Sequence, residues 1–115
     1  MKYVLLIYQA KDYDPADLSQ EDYKDVAARY GAVNATPNVR SGWPLGFAKE
    51  AITVRSQAGQ VVTTTGPYVE QPGGVLGGYV EFEADSEAEA IRLAAQIPAV
   101  GQGGAVEIRP SRVYW

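Results

Sequence analysis

The chain has 115 residues, 46% hydrophobic and 21% charged, with a net charge of −4, the size and mix of one soluble globular domain spanning 1–115. It contains no cysteine and no histidine, so disulfides, thiolate nucleophiles and Cys-ligated metal centres are excluded, and the commonest general base and usual zinc, iron or copper ligand are missing. The acidic balance, without a Lys/Arg cluster, argues against nucleic acid or an anionic membrane as partner. No apolar stretch approaches the ~18 residues of a membrane span, and a soluble cytoplasmic protein is expected.

Met1-Lys2 leads straight into Tyr3-Val4-Leu5-Leu6-Ile7-Tyr8, an unbroken apolar run of strand length that suits a central strand covered on both faces. Residues 9–18 are polar, and Asp14-Pro15 marks a turn or the start of a helix. Ser19 with Asp22 resembles a capping box, and behind it Tyr23, Val26, Ala27, Tyr30 and Val33 make one helical stripe opposed by Glu21, Lys24, Asp25 and Arg29. Thr36-Pro37 ends that helix, because the residue before a proline is pushed out of helical geometry.

Residues 37–50 carry prolines, glycines and the large aromatics Trp43 and Phe47 and read as an ordered, irregular loop. Ala51–Arg55 and Gln60–Thr65 read as strands joined by Ser56-Gln57-Ala58-Gly59, a hairpin with a four-residue connection. Gly66-Pro67-Tyr68 then leaves the sheet, since proline cannot donate to a central ladder. In Gly78–Glu83 alternation sends Val80 and Phe82 one way and Tyr79, Glu81 and Glu83 the other. Ser86 and Glu89 form a capping box for a helix reaching about Ile97, with Ala90, Ile91, Ala94 and Ile97 as its stripe, and Pro98 stops it. Ala105–Arg109 alternates as a last strand closed by Pro110. The order strand, helix, hairpin, strand, helix, strand predicts a ferredoxin-like α+β sandwich on an antiparallel sheet, with extra hairpin content.

Two helices cover one face of such a sheet. Val80, Phe82, Val106 and Ile108 belong on that side, leaving Tyr79, Glu81, Glu83, Glu107 and Arg109 on the other. The second face has two outcomes: plain solvent exposure, or burial against a second copy around a polar-lined cavity. The aromatics at 43–47 and the Val113-Tyr114-Trp115 end favour the dimer, because such side chains mark interfaces.

Several blocks also resemble a known family. Met1-Lys2-Tyr3-Val4-Leu5-Leu6-Ile7-Tyr8, Thr65-Gly66-Pro67-Tyr68, Leu76-Gly77-Gly78-Tyr79 leading to Glu83-Ala84-Asp85-Ser86, and Gly104–Pro110 are similar, in order, to the YCII-related family. Within it they look most like the branch named for an Asp-Gly-Pro-Phe motif. The resemblance implies a dimeric α/β barrel, two sheets face to face around a cavity. The His-Asp pair suspected of catalysis in the founding type has no counterpart here, for want of histidine. Thr65 stands where the branch has Asp, and Tyr68 where it has Phe.

Candidate chemistry follows from the second face and the irregular loop. Glu81 and Glu107, on strands expected to be neighbours, form a possible carboxylate pair with Arg109 nearby, with Tyr79 as a phenolic donor; two carboxylates in a half-dry cavity push one pKa up. The bland alternative is a solvated cross-strand charge pattern. Arg40 and Trp43, with Arg55 on the hairpin and Tyr68 after it, suit an anionic or aromatic small molecule, against a loop simply pinned by its own Trp. Gly73-Gly74 and Gly77-Gly78 lack the Lys-Ser/Thr partner of a phosphate loop, and Asp12, Asp14 and Asp17 lack the Gly and terminal Glu of a calcium loop. The expected function is a cavity-bearing homodimer acting without metal or cofactor on a small organic molecule, by proton transfer of isomerase, cyclase or lyase type or by cofactor-independent oxygenation. A non-catalytic binding or regulatory module is the alternative, and a purely structural dimer comes third.

Overall fold

A computed structural model describes residues 1–69 and 73–112. The chain runs β1 (Lys2–Gln9), α1 (Gln20–Asn34), β2 (Val39–Pro44), β3 (Ile52–Gln57), β4 (Gln60–Thr65), β5 (Val75–Glu83), α2 (Glu87–Ala95) and β6 (Ala105–Pro110). β2, β5, β1 and β6 lie side by side in that order, each antiparallel to its neighbour, while among the described residues β3 and β4 pair only with each other. Without the β3–β4 hairpin, this is the ferredoxin-like topology with its first strand inside.

The helices start where the sequence places them. Asp22 N–H donates to Ser19 Oγ at 3.1 Å and Glu89 N–H to Ser86 Oγ at 3.2 Å. The Glu89 carboxylate reaches back to Asp85 N–H at 3.0 Å, one residue before the capping serine. Tyr3, Leu5 and Ile7 of β1 and Val80 and Phe82 of β5 point toward the helices and form the core with Ala90, Leu93, Ala94 and Ile97, and Val106 and Ile108 pack against it. Burying side chains as completely as Leu5 and Phe82 stabilises the fold by roughly 1.5–3 kcal/mol each.

Several expectations need correcting. Ala90, Ala94 and Ile97 of the α2 stripe are buried as expected, but its fourth member is Leu93, and Ile91 is half exposed. The segment expected to be irregular from 37 to 50 contains β2, an edge strand whose bulge between Val39 and Ser41 breaks the alternation and whose proline sits at its very end. The hairpin turn is two residues long: Gln57 faces Gln60, and Ala58 and Gly59 have φ of 51° and 78°, as tight hairpin turns require. β1 is central but is closed only on the helix side, where Tyr3, Leu5 and Ile7 are buried; Val4, Leu6 and Tyr8 on the other face are half-buried. Most important for function, β5 and β6 are not neighbours, because β1 lies between them. The Val113-Tyr114-Trp115 end lies outside the described residues.

Candidate functional site

The stripe of α1 does not all reach the sheet. Val33 near its C-terminal end is 1% exposed, yet Tyr23 is 55% exposed. Between the helix, from Tyr23 onward, and the sheet lies a cleft of about 740 Å³, within the usual range for a small-molecule site. Tyr23, Val26, Ala27 and Tyr30 form one wall. Ile7 and Gln9 of β1, Gly42 and Trp43 of β2 and the start of β5 form the other, and residues 11–15 and 45–50 frame the mouth.

Local hydrogen bonds hold the frame. Asp14 accepts from Ala16 N–H at 2.9 Å and caps a short 3-10 turn at Pro15–Asp17. Across the mouth, Phe47 N–H donates to the Glu50 carboxylate at 2.9 Å and Leu45 N–H to the Gly77 carbonyl at 2.9 Å; Lys49 lies 5.6 Å from the Phe47 ring centre. The register of β1 against β5 shifts between Ile7 and Tyr8, so that Tyr8 faces Leu76 and Gly77 is the extra residue. Gly77 is needed there: a Cβ would come within 2.8 Å of Gln9 Cγ. The bulge thus lets the Gln9 side chain lie along the cleft wall.

At the inner end, Gln9 Nε2 donates to the Tyr30 hydroxyl at 3.2 Å. Gln9 Oε1 is shut off from solvent and has no partner among the described residues. Burial pushes the Tyr30 phenol above its ordinary value of 10.0 despite the hydrogen bond from Gln9, and burial first, then the Asp14 charge, does the same to Tyr13. Both phenols stay protonated near neutral pH, so each has an O–H to give. Two lysines, Lys11 and Lys49, face three carboxylates, Asp12, Asp14 and Glu50, around the cleft. That balance does not favour an anion. Among the described residues no group of three acidic side chains is placed to hold a metal ion.

Of the residues singled out in the sequence, Trp43 and Tyr79 border this cleft where β2 meets β5, although alternation turns the Tyr79 side chain to the sheet face away from α1. Trp43 faces Tyr79 across β2 and β5. Glu81 and Glu107 share the open face but stand opposite Val4 and Leu6 of the intervening β1, so the expected neighbouring-strand pair is not formed. Two strand spacings are about 9.6 Å, too far for a shared proton. Arg109 instead pairs with Glu107 on its own strand, Nε to Oε2 at 2.6 Å, because residues two apart on a strand share a face. Arg55 lies 5.8 Å from the Tyr68 ring centre, beside the hairpin and away from the cleft, and Arg40 is exposed on the β2 bulge. Gln9, Tyr13, Tyr23 and Tyr30 were missed as site residues. Their signal was faint: a helix stripe with two tyrosines and an alanine where a packed core favours Leu or Ile.

The fold and cleft define a ferredoxin-like α+β domain with an apolar hollow under its first helix. The chain belongs to the family of the YCII-related domain, which it matches over residues 1–112. No curated protein matches it. Among solved structures it is similar to 5-chloro-2-hydroxyhydroquinone dehydrochlorinase (TftG) from Burkholderia phenoliruptrix AC1100, in complex with 2,5-dihydroxybenzoquinone, with 15% identity and a TM-score of 0.49 over 97% of this chain and 94% of that one. No helix among the described residues is long and apolar enough to cross a membrane.

Proposed function

We propose that this chain is a cytoplasmic, homodimeric protein of the Asp-Gly-Pro-Phe branch that takes up a modest, largely uncharged organic molecule in the cleft between α1 and the sheet. One observation carries the binding reading: the apolar stripe of α1 faces a hollow of about 740 Å³ where a packed helix would meet the sheet. Apolar walls with a few convergent polar groups are the usual make-up of a small-molecule site. The test is two-dimensional amide NMR with ethylbenzene as probe. Shifts clustered at Tyr23, Val26, Ala27 and Tyr30, lost in Ala27→Trp, are expected; shifts scattered over the surface, or unchanged by the substitution, refute the cleft.

A second, catalytic reading has its own support in the Tyr30 phenol, a half-buried O–H on the cleft wall beside Gln9. A protonated phenol acts as a general acid or as a hydrogen-bond donor to an oxygen that gains charge, which fits isomerase, cyclase or lyase chemistry better than a step needing a strong base. Glu81, Glu107 and Arg109 then serve the sheet-to-sheet space of the dimer rather than this cleft. Support for the dimer comes from the half-buried Val4, Leu6 and Tyr8 on the uncovered face and from a hairpin whose Ile52, Val54 and Val61 are 72%, 63% and 75% exposed. An isolated two-stranded hairpin is marginal in water. Equilibrium sedimentation at micromolar concentration is expected to give twice the chain mass of 12.4 kDa, and a single-chain mass would refute the dimer.

A further inference from the structure

We propose that Tyr30 and Gln9 read one uncharged acceptor oxygen, a carbonyl or hydroxyl, on an apolar ligand: Tyr30 donates its O–H to that oxygen, and Gln9 sets the direction of the donation. This rests on the cleft being the binding site and goes further by naming the ligand's polar end.

The geometry supports the assignment in three ways. Gln9 Nε2 donates to the Tyr30 oxygen at 3.2 Å, so the phenol proton cannot point back along the same line and is turned away from Gln9. Among the described residues no hydrogen bond has Tyr30 as donor, and Tyr30 lines the cleft. A donor already accepting a hydrogen bond is polarised and donates more strongly. Second, Gln9 leaves Oε1 buried without a partner among the described residues, a desolvation penalty that no hydrogen bond offsets. An apolar side chain of similar size there would avoid that cost, so the amide is explained by its other atom, the donor to Tyr30. Third, the charged groups around the cleft among the described residues are Lys11, Asp12, Asp14, Lys49 and Glu50, with no arginine. A carboxylate ligand would meet two lysines against three carboxylates, whereas a neutral oxygen meets no such conflict. Gln9 is the positioning residue; Tyr30 is the one that touches ligand.

The experiment compares three probes of one size, acetophenone, ethylbenzene and benzoate, by amide NMR titration of the full chain, its Tyr30→Phe variant and its Gln9→Leu variant. A hydrogen bond to a neutral oxygen predicts acetophenone binding about fivefold tighter than ethylbenzene, with benzoate weakest. Tyr30→Phe should remove the acetophenone advantage and leave ethylbenzene unchanged. Gln9→Leu should shrink it while keeping the Tyr30 ring signals in place, an effect a wall residue would not produce. Equal weakening of both neutral probes by Tyr30→Phe would overturn the oxygen-reading role and leave the cleft standing. Ethylbenzene failing to perturb the cleft in the unsubstituted chain would remove the cleft and this proposal together.

Discussion

The split of the α1 stripe into a packed end and an open end can be weighed by cutting the same side chain at two positions. Val33 is 1% exposed and belongs to the core cluster, whereas Val26 lines the cleft. Val33→Ala removes two carbons from full burial, about 1.6 kcal/mol at ~0.8 per group. The void left behind adds about 1 kcal/mol, for a total near 2.5 kcal/mol. Val26→Ala removes the same atoms from a wall that already faces space, so no new cavity forms and the loss should stay below about 1 kcal/mol. Urea unfolding followed by circular dichroism measures both, and an unchanged slope against denaturant shows that stability alone has moved. Equal losses near 2.5 kcal/mol would mean that the helix lies flat on the sheet in solution and the cleft is closed.

Other outcomes follow from single features. Ser86→Ala removes the acceptor for Glu89 N–H and should cost about 1 kcal/mol, read as a lower urea midpoint. Ala58 holds φ of 51° in a two-residue turn, so Ala58→Gly should slow amide exchange along β3 and β4 by relieving about 1 kcal/mol of strain; unchanged exchange would place the strain elsewhere. Burial raises the Tyr30 phenol above 10.0, so the folded state keeps that proton where the unfolded chain loses it. The Tyr30 contribution is complete below pH ~10 and is lost as pH climbs through the folded value. Thermal melts from pH 9 to 11 should therefore show a drop that is shallower in Tyr30→Phe, and parallel curves would assign the drop to other groups.

The fold was legible where a local rule is strong. Ser19 and Ser86 announce the helix starts through a side-chain oxygen in the right place, and the alternation around Val80 and Phe82 names the buried face of β5 without reference to any neighbour. β2 was illegible because its bulge at Arg40 destroys the period by which strands are recognised. Strand adjacency is not a local property at all: Glu81 and Glu107 look like partners until the chain path inserts β1 between them. The cleft was hidden for a related reason. Tyr23, Val26, Ala27, Tyr30 and Val33 obey one helical period, and periodicity reports that a face is apolar, not whether the sheet, a ligand or nothing lies against it.

What separates a binder from an enzyme here is the supply of a base. A chain without histidine or cysteine has carboxylates, lysines such as Lys11 and Lys49 of this cleft, and the ligand's own groups as its proton acceptors, and the carboxylates are the natural first choice. Around the cleft Glu50 is engaged by Phe47 N–H and Asp14 by Ala16 N–H, which leaves Asp12 as the carboxylate without a hydrogen bond among the described residues. Asp12 frames the mouth and Tyr30 sits at the inner end, so a ligand spanning the cleft would meet a donor at one end and an acceptor at the other. Proton transfer across such a ligand needs both residues, whereas binding through the oxygen contact needs only Tyr30. Asp12→Asn should therefore leave acetophenone affinity unchanged whichever reading holds, and would abolish turnover of any substrate found to react. A reacting substrate whose turnover survives Asp12→Asn would rule out Asp12 as the base.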